Sequence, residues 1–241
     1  MRQLELNVYN KLKKDFPREI AALENGIDVL VMYCELLRDQ SPYNKPSHTR
    51  DDLLKASAEH RCLTTQIMLL NHSIGNMKAA RLLLLTGYIG PAMSCLRTSY
   101  ESFQNAHICS VLDAQAIRFL TGKTIDKKVE VPTPSQLEEE TAKDVKRALS
   151  NVGVHSSYKS LENQGYFEAS IFREEHRISY EFYFLRSLWS FFTMQLYLLV
   201  YLVEKWPKLI KEIPNLVQVA TDLRSMIDST QEGFQQRAKD E

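Results

Sequence analysis

The sequence predicts an all-α protein, an antiparallel up-down bundle of about six helices that forms a single domain over residues 1–241. Apolar residues recur three and four positions apart over most of the chain, as they do on the buried faces of helices. The chain holds only 8 Gly and 8 Pro, which suits long helices with few turns. Hydrophobic residues make up 44% of the composition, enough to fill a sizeable core.

The first predicted helix covers Leu4–Arg38 and breaks or kinks at Pro17, since proline cannot continue a helical hydrogen-bond ladder. Residues 1–40 could therefore be a helical N-terminal extension of the bundle. The segment Ser41–Arg50 follows, and its prolines and small polar residues predict a loop.

A tight corner joins the second and third predicted helices, which cover Asp51–Thr86 and Pro91–Leu120. Gly87 follows a leucine run, where a glycine can adopt the left-handed conformation that ends a helix. Pro91 suits the first position of the next helix, because its missing N–H needs no partner there. So short a turn predicts that the two helices lie antiparallel and side by side, with the third ending near Gly122.

The middle of the chain is less regular. Residues 123–134 are charged and include two prolines, which predicts a mobile connection. Ser135 and Glu138 form a capping-box pattern that opens a shorter fourth helix, ending near Asn151. The segment Gly153–Phe172 shows the weakest periodicity, so we expect non-helical structure there.

The fifth predicted helix, Glu175–Lys205, is the most hydrophobic element. Its stretch Ser187–Val203 has 17 residues without a charge, just short of the usual length of a membrane span, and no basic cluster flanks it. Amphipathic helices elsewhere in the chain can surround it, so we expect the central helix of the bundle, which could also join a dimer interface, and no membrane partner. A sixth helix is predicted over Asn215–Arg237.

The chain shows no motif for a metal or a nucleotide cofactor. Four cysteines lie far apart with no C-x-x-C pair, and no histidine follows the E-x-x-H or H-x-x-x-H spacing of helical metal sites. Phosphate-binding glycine loops and the hydrolase G-x-S-x-G are absent from the sequence. The N-terminus has no apolar signal core. We therefore expect a cytoplasmic protein with reduced thiols and without a cofactor.

One polar constellation could carry chemistry. Arg97 and Glu101 lie four residues apart on the third helix, close enough to pair, and His155 follows a predicted helix end. A histidine in such a place can act as an acid or base near neutral pH. Candidate catalytic residues are Arg97, Glu101 and His155, and candidate binding residues are Ser150, Asn151 and Tyr158. The alternative is structural, with Arg97 and Glu101 tying helices together and His155 fixing an irregular segment.

The same two stretches carry a resemblance. The segments LLLTGYIGPAMSCLRTSYESF and LSNVGVHSSYKSL resemble two blocks of uncharacterised bacterial helical proteins of the HEPN-like class (higher eukaryotes and prokaryotes nucleotide-binding). The resemblance covers roughly Arg81 to Leu161. It implies an up-down bundle of four or five helices, often dimeric, and its active members are metal-independent ribonucleases. The ribonuclease signature is an arginine followed by a histidine within a set range of spacings. No arginine in this chain is followed by a histidine at such a spacing.

The sequence is compatible with three functions. The first is a non-enzymatic interaction or oligomerisation module, expected to form a homodimer and to bind a protein partner. The alternative is a HEPN-like metal-independent ribonuclease, or a protein that binds RNA or a nucleotide, in a defence or stress system. A second alternative is a metal-dependent enzyme. The formal net charge of zero gives no global basic field that would favour nucleic acid.

Overall fold

The computed structural model describes residues 3–40, 49–126, 128–129 and 177–240, and all regular structure in these ranges is helical. The predicted all-α bundle is therefore confirmed for this part of the chain. The predicted fourth helix, the irregular segment Gly153–Phe172 and most of the predicted loop Ser41–Arg50 lie outside the described residues.

The predicted break at Pro17 is present. Helix α1 covers Gln3–Asp15 and helix α2 covers Pro17–Arg38, with Phe16 between them at φ −131° and ψ 54°. Pro17 occupies the first position of α2, where its missing N–H leaves no hydrogen bond unmade. The side chain of Phe16 is buried and packs against Phe184, with ring centroids 4.9 Å apart.

The second predicted helix is divided in two. Helix α3 covers Arg50–Lys55 and opens with a capping box between Thr49 and Asp52. Helix α4 covers Ala58–Leu85, and Ser57 precedes it with its side chain accepting a hydrogen bond from the backbone N–H of His60. Serine is more common at helix caps than in helix interiors, because its hydroxyl forms hydrogen bonds with backbone groups that would otherwise bond within the helix. Periodicity alone did not reveal this interruption.

The third predicted helix is also divided. Helix α5 covers Ile89–Val111 and helix α6 covers Asp113–Leu120, with Leu112 extended between them. Gly122 follows α6 with φ 75°, in agreement with the predicted end of this region. The change of direction at Leu112 brings the Asp113 carboxylate to an arginine of α4, described below.

The C-terminal part contains two long helices and a connection that the sequence did not predict. Helix α7 covers Arg177–Lys205, a 3₁₀ helix covers Pro207–Glu212, and helix α8 covers Leu216–Asp240. Asn215 precedes α8 in the left-handed conformation with φ 60°. The ends of α7 and α8 lie within three residues of the predicted ones.

Two antiparallel helix pairs form the bundle. Helices α4 and α5 share the most extensive packing, α7 and α8 share the next, and α2 packs against α4, α7 and α8. Helix α5 also contacts α7, so the two pairs enclose one hydrophobic core. Each fully buried large side chain in it, such as Phe191 or Phe192, contributes about 1.5–3 kcal/mol.

Helix α7 is the central element, as predicted. Its segment Glu181–Lys205 is the one stretch within the described ranges that is long and apolar enough to cross a membrane. Within this segment, 78% of the apolar 18-residue stretch is buried inside the bundle. Phe184, Leu188, Phe191 and Leu198 have no exposed surface. Most of the apolar surface of α7 is therefore used in packing against α2, α5 and α8.

Two contacts fix the position of α2 against α7. The hydroxyl of Tyr33 donates to the backbone carbonyl of Trp206 over 2.8 Å. Near the middle of both helices, Nε2 of Gln195 donates to the carbonyl of Leu23, also over 2.8 Å. The Gln195 amide lies directly over Gly26, where a Cβ atom would stand 2.8 Å from its Oε1. Only glycine allows so close an approach.

Candidate functional site

The corner between α4 and α5 positions the candidate residues Arg97 and Glu101. Gly87 has φ 94°, and its N–H donates to the carbonyl of Leu84 while the N–H of Tyr88 donates to that of Leu83. This is the Schellman arrangement, in which a left-handed glycine satisfies the last helical carbonyls. The predicted role of Gly87 is confirmed.

Pro91 does not occupy the first helical position that the sequence predicted. Helix α5 begins two residues earlier, at Ile89, so that Gly90 and Pro91 both belong to its first turn. The shift costs no hydrogen bond, because the first four N–H groups of a helix have no partner within it.

Arg97 and Glu101 form the expected ion pair. Nε of Arg97 donates to Oε1 of Glu101 over 3.0 Å, and the two side chains are 30% and 39% exposed. A pair of this exposure on one helix stabilises the protein by about 0.3–0.5 kcal/mol. It is neither a closed interior cluster nor a fully solvated pair, so its geometry is compatible with both the structural and the chemical interpretation.

The other candidates, Ser150, Asn151, His155 and Tyr158, lie outside the described residues. Whether His155 meets Arg97 and Glu101 therefore stays a prediction. One described polar contact joins α5 to α4: Nδ1 of His72 lies 2.9 Å from Oγ of Ser102.

A second ion pair, which the sequence analysis missed, ties α4 to α6. Nε and Nη2 of Arg61 donate to the two carboxylate oxygens of Asp113 over 2.7 and 2.8 Å. Nη1 of Arg61 donates to the carbonyls of Leu54 and Ala56 over 2.8 and 2.9 Å. The hydrogen bonds from Arg61 lower the pKa of the Asp113 carboxyl. The partners are 52 residues apart, so no spacing rule could have paired them.

A buried polar contact joins α4 to α7. Nε2 of Gln66 donates to the hydroxyl of Tyr201, and the ring of His107 meets that of Tyr201 edge to face at 5.7 Å. Burial raises the pKa of Tyr201 to about 12. The tyrosine is thus neutral at physiological pH, and the contact joins helices within the core.

The described side chains do not form a metal site. Within the described ranges, no group of three or more His, Cys, Asp or Glu residues has a geometry that could hold an ion.

An open apolar groove lies on the surface between α7 and α8. It measures about 800 Å³ and its apolar lining is contributed by both helices: Leu199, Val200, Val203, Leu216, Val217 and Ala220. Val217 is 72% exposed, the largest exposed fraction among the described large hydrophobic side chains. The sequence carried a signal for this, since Val217 is out of phase with the buried stripe of α8.

Polar side chains edge the same groove. Glu204 comes from the last turn of α7, and Thr221, Arg224, Ser225 and Asp228 come from α8. Nε of Arg224 lies 3.9 Å from Asp228, and these two side chains are 66% and 61% exposed. A lining that combines apolar and polar side chains is the usual composition of a protein-binding surface.

No family model, no curated protein and no solved structure matches the chain, so the resemblance to the HEPN-like class stays a prediction.

Proposed function

We propose that this protein is a non-enzymatic interaction module, which binds another polypeptide chain in the groove between α7 and α8. The observation that carries the proposal is the exposed Val217 at an apolar groove of about 800 Å³. Exposed apolar surface bordered by polar residues is typical of protein-interaction sites.

The shape of the groove favours a helix or a helical face as its occupant. Two packed antiparallel helices provide its walls, and an amphipathic helix can place its apolar side between them. Full burial of a valine side chain contributes about 1.5–3 kcal/mol, so covering Val217 alone would provide a substantial part of a weak interaction.

The proposal includes a cytoplasmic location. All four cysteines, Cys34, Cys62, Cys95 and Cys109, lie in described helices as free thiols. Burial raises the pKa of Cys34 to about 12 and is the largest cause of the increase to about 12 at Cys109. Unpaired buried thiols are typical of proteins from reducing compartments.

Site-specific photo-cross-linking in the cells that produce the protein tests the function. A photoreactive amino acid is introduced at Val217 or Thr221, and in matched controls at Leu82 or Val111, which are exposed apolar positions on other helices. We expect a cross-linked species of one defined mass from the groove positions and none from the controls. Equal yields at groove and control positions, or no cross-linked species at all, would refute an interaction through this groove.

A further inference from the structure

We infer that the chain bound in the α7/α8 groove is a second copy of this protein, arranged about a two-fold axis so that Glu204 of each copy faces Arg224 of the other. The inference rests on the proposed interaction function and specifies its partner. It follows from the distribution of charge along the groove.

The two ends of the groove differ in charge: Glu204 lies at one end, and Arg224 lies towards the other end with Asp228 one turn beyond it. Helices α7 and α8 run antiparallel: Arg237 near the end of α8 pairs with Glu181 near the start of α7, over 2.8 Å. Glu204, in the last turn of α7, therefore lies at the end of the groove where α8 begins. Arg224 is seven residues beyond Val217, roughly 10 Å further along α8. The apolar residues lie between these two positions.

A two-fold axis through the middle of the groove would exchange its ends. In an isologous contact, if a first residue of one copy contacts a second residue of the other, the second residue of the first copy also contacts the first residue of the other. Glu204 of one copy then meets Arg224 of the other, and the contact is formed twice. Val200, Val217 and Ala220 lie between the two charged positions and would be covered by the partner copy. The exposed Val217 of each copy provides the projection that enters the partner's groove.

Within the described part of a single copy, Arg224 and Glu204 are not held by strong ion pairs, so both are available for this pairing. Among the described residues that line the groove, Arg224 is the one cation, and Glu204 and Asp228 are the two anions. The contact of Arg224 with Asp228 is long and highly exposed, so solvent screens it and it restrains Arg224 weakly. Within the described residues Glu204 forms no ion pair, and a second copy would supply one.

We expect a concentration-dependent dimer rather than a permanent one. The lining of the groove on α8 runs from Leu216 to Asp228, roughly 18 Å of helix. A surface of this length is small for an obligate interface, which commonly buries more than about 2,000 Å². Charge register is then important for affinity, because few other contacts are available.

Sedimentation velocity over a wide range of protein concentrations tests the inference, with Glu204→Arg, Arg224→Glu and the double charge swap. Like charges facing each other across an interface repel, so each single variant should weaken dimerisation at least about tenfold, and the double variant should restore it to within about threefold. Lys78→Glu, at an exposed site on α4, is the matched control and should change nothing. Circular dichroism confirms that each variant is folded.

The outcomes separate the inference from the proposed function. A wild-type dimer weakened by either single reversal and restored by the double swap supports the pairing. A dimer that both single variants leave unchanged overturns the register, while the interaction function stands. A wild-type protein that remains monomeric at every concentration overturns the second copy as occupant, and cross-linking from Val217 then decides whether another protein binds the groove.

Discussion

Replacing Gly26 by alanine probes the closest approach between α2 and α7. An alanine Cβ there would lie 2.8 Å from Oε1 and 2.9 Å from Cδ of Gln195, closer than real Cβ atoms come to other atoms. The Gln195 side chain is fully buried and donates to the carbonyl of Leu23. A shift of the amide away from the new Cβ atom would therefore strain or break this hydrogen bond.

Gly75 in α4 offers a matched control, because a Cβ atom at that position would meet nothing within 4 Å. Alanine is favoured over glycine in a helix interior by about 1 kcal/mol, and both substitutions gain this amount. At Gly26, leaving buried polar groups without their hydrogen bond costs about 1–3 kcal/mol. Overpacking costs about 1–3 kcal/mol more. We expect Gly26→Ala to lower the free energy of unfolding by about 1–5 kcal/mol and Gly75→Ala to raise it.

Urea denaturation followed by circular dichroism measures both effects. A double-mutant cycle with Gln195→Ala identifies the cause, since neighbours in contact are energetically coupled. Once the amide is removed, Gly26→Ala should become neutral or stabilising. If Gly26→Ala stabilises the wild-type protein as Gly75→Ala does, or if its effect is the same with and without Gln195, the explanation by close approach is wrong.

Three further predictions concern charge, thiol reactivity and the untested site. Arg61 lowers the folded-state pKa of Asp113. The stability from this pair is therefore present above the unfolded-state pKa of about 3.9 and is lost as pH falls through the folded-state value. Thermal unfolding should show that Asp113→Asn reduces stability at pH 7 and flattens the loss of stability below about pH 4. Cys34 is buried with its pKa raised to about 12, so it should resist iodoacetamide at pH 8 until the protein unfolds, as followed by mass spectrometry; fast modification of folded protein would contradict its burial. If the HEPN-like alternative is right, the purified protein should cut RNA in EDTA, and folded Arg97→Ala and His155→Ala variants should both lose that activity; no cleavage by the wild type would exclude metal-independent ribonuclease activity on the RNA tested.

Helix ends with a local chemical signal could be predicted from the sequence. Pro17 and Gly87 each restrict or permit a specific backbone conformation, so the break and the corner are located where these residues stand. The burial of α7 could also be predicted, because 17 uncharged residues need either lipid or other helices around them.

The remaining features depend on residues that are far apart in the sequence. Arg61 reaches Asp113 only because α3, α4 and α6 meet, and Gly26 is required only because Gln195 arrives from α7. Leu112 shows no local signal that would end a helix. The groove depends likewise on how α7 and α8 are placed side by side. A periodic pattern identifies which face of a helix is buried, but it does not identify the neighbour.

The hydrogen bond from Tyr33 to the carbonyl of Trp206 has a consequence for synthesis of the chain. These residues are 173 positions apart, and the buried side of α2 packs largely on α7 and α8. At about 5–20 residues per second, a ribosome needs roughly 10–35 seconds to add that length after Tyr33. During this interval α2 can pack on α4, but the part of its apolar side that packs on α7 and α8 has no native partner. Efficient production of this protein should therefore depend on chaperones that hold its N-terminal third until the central helix has been translated.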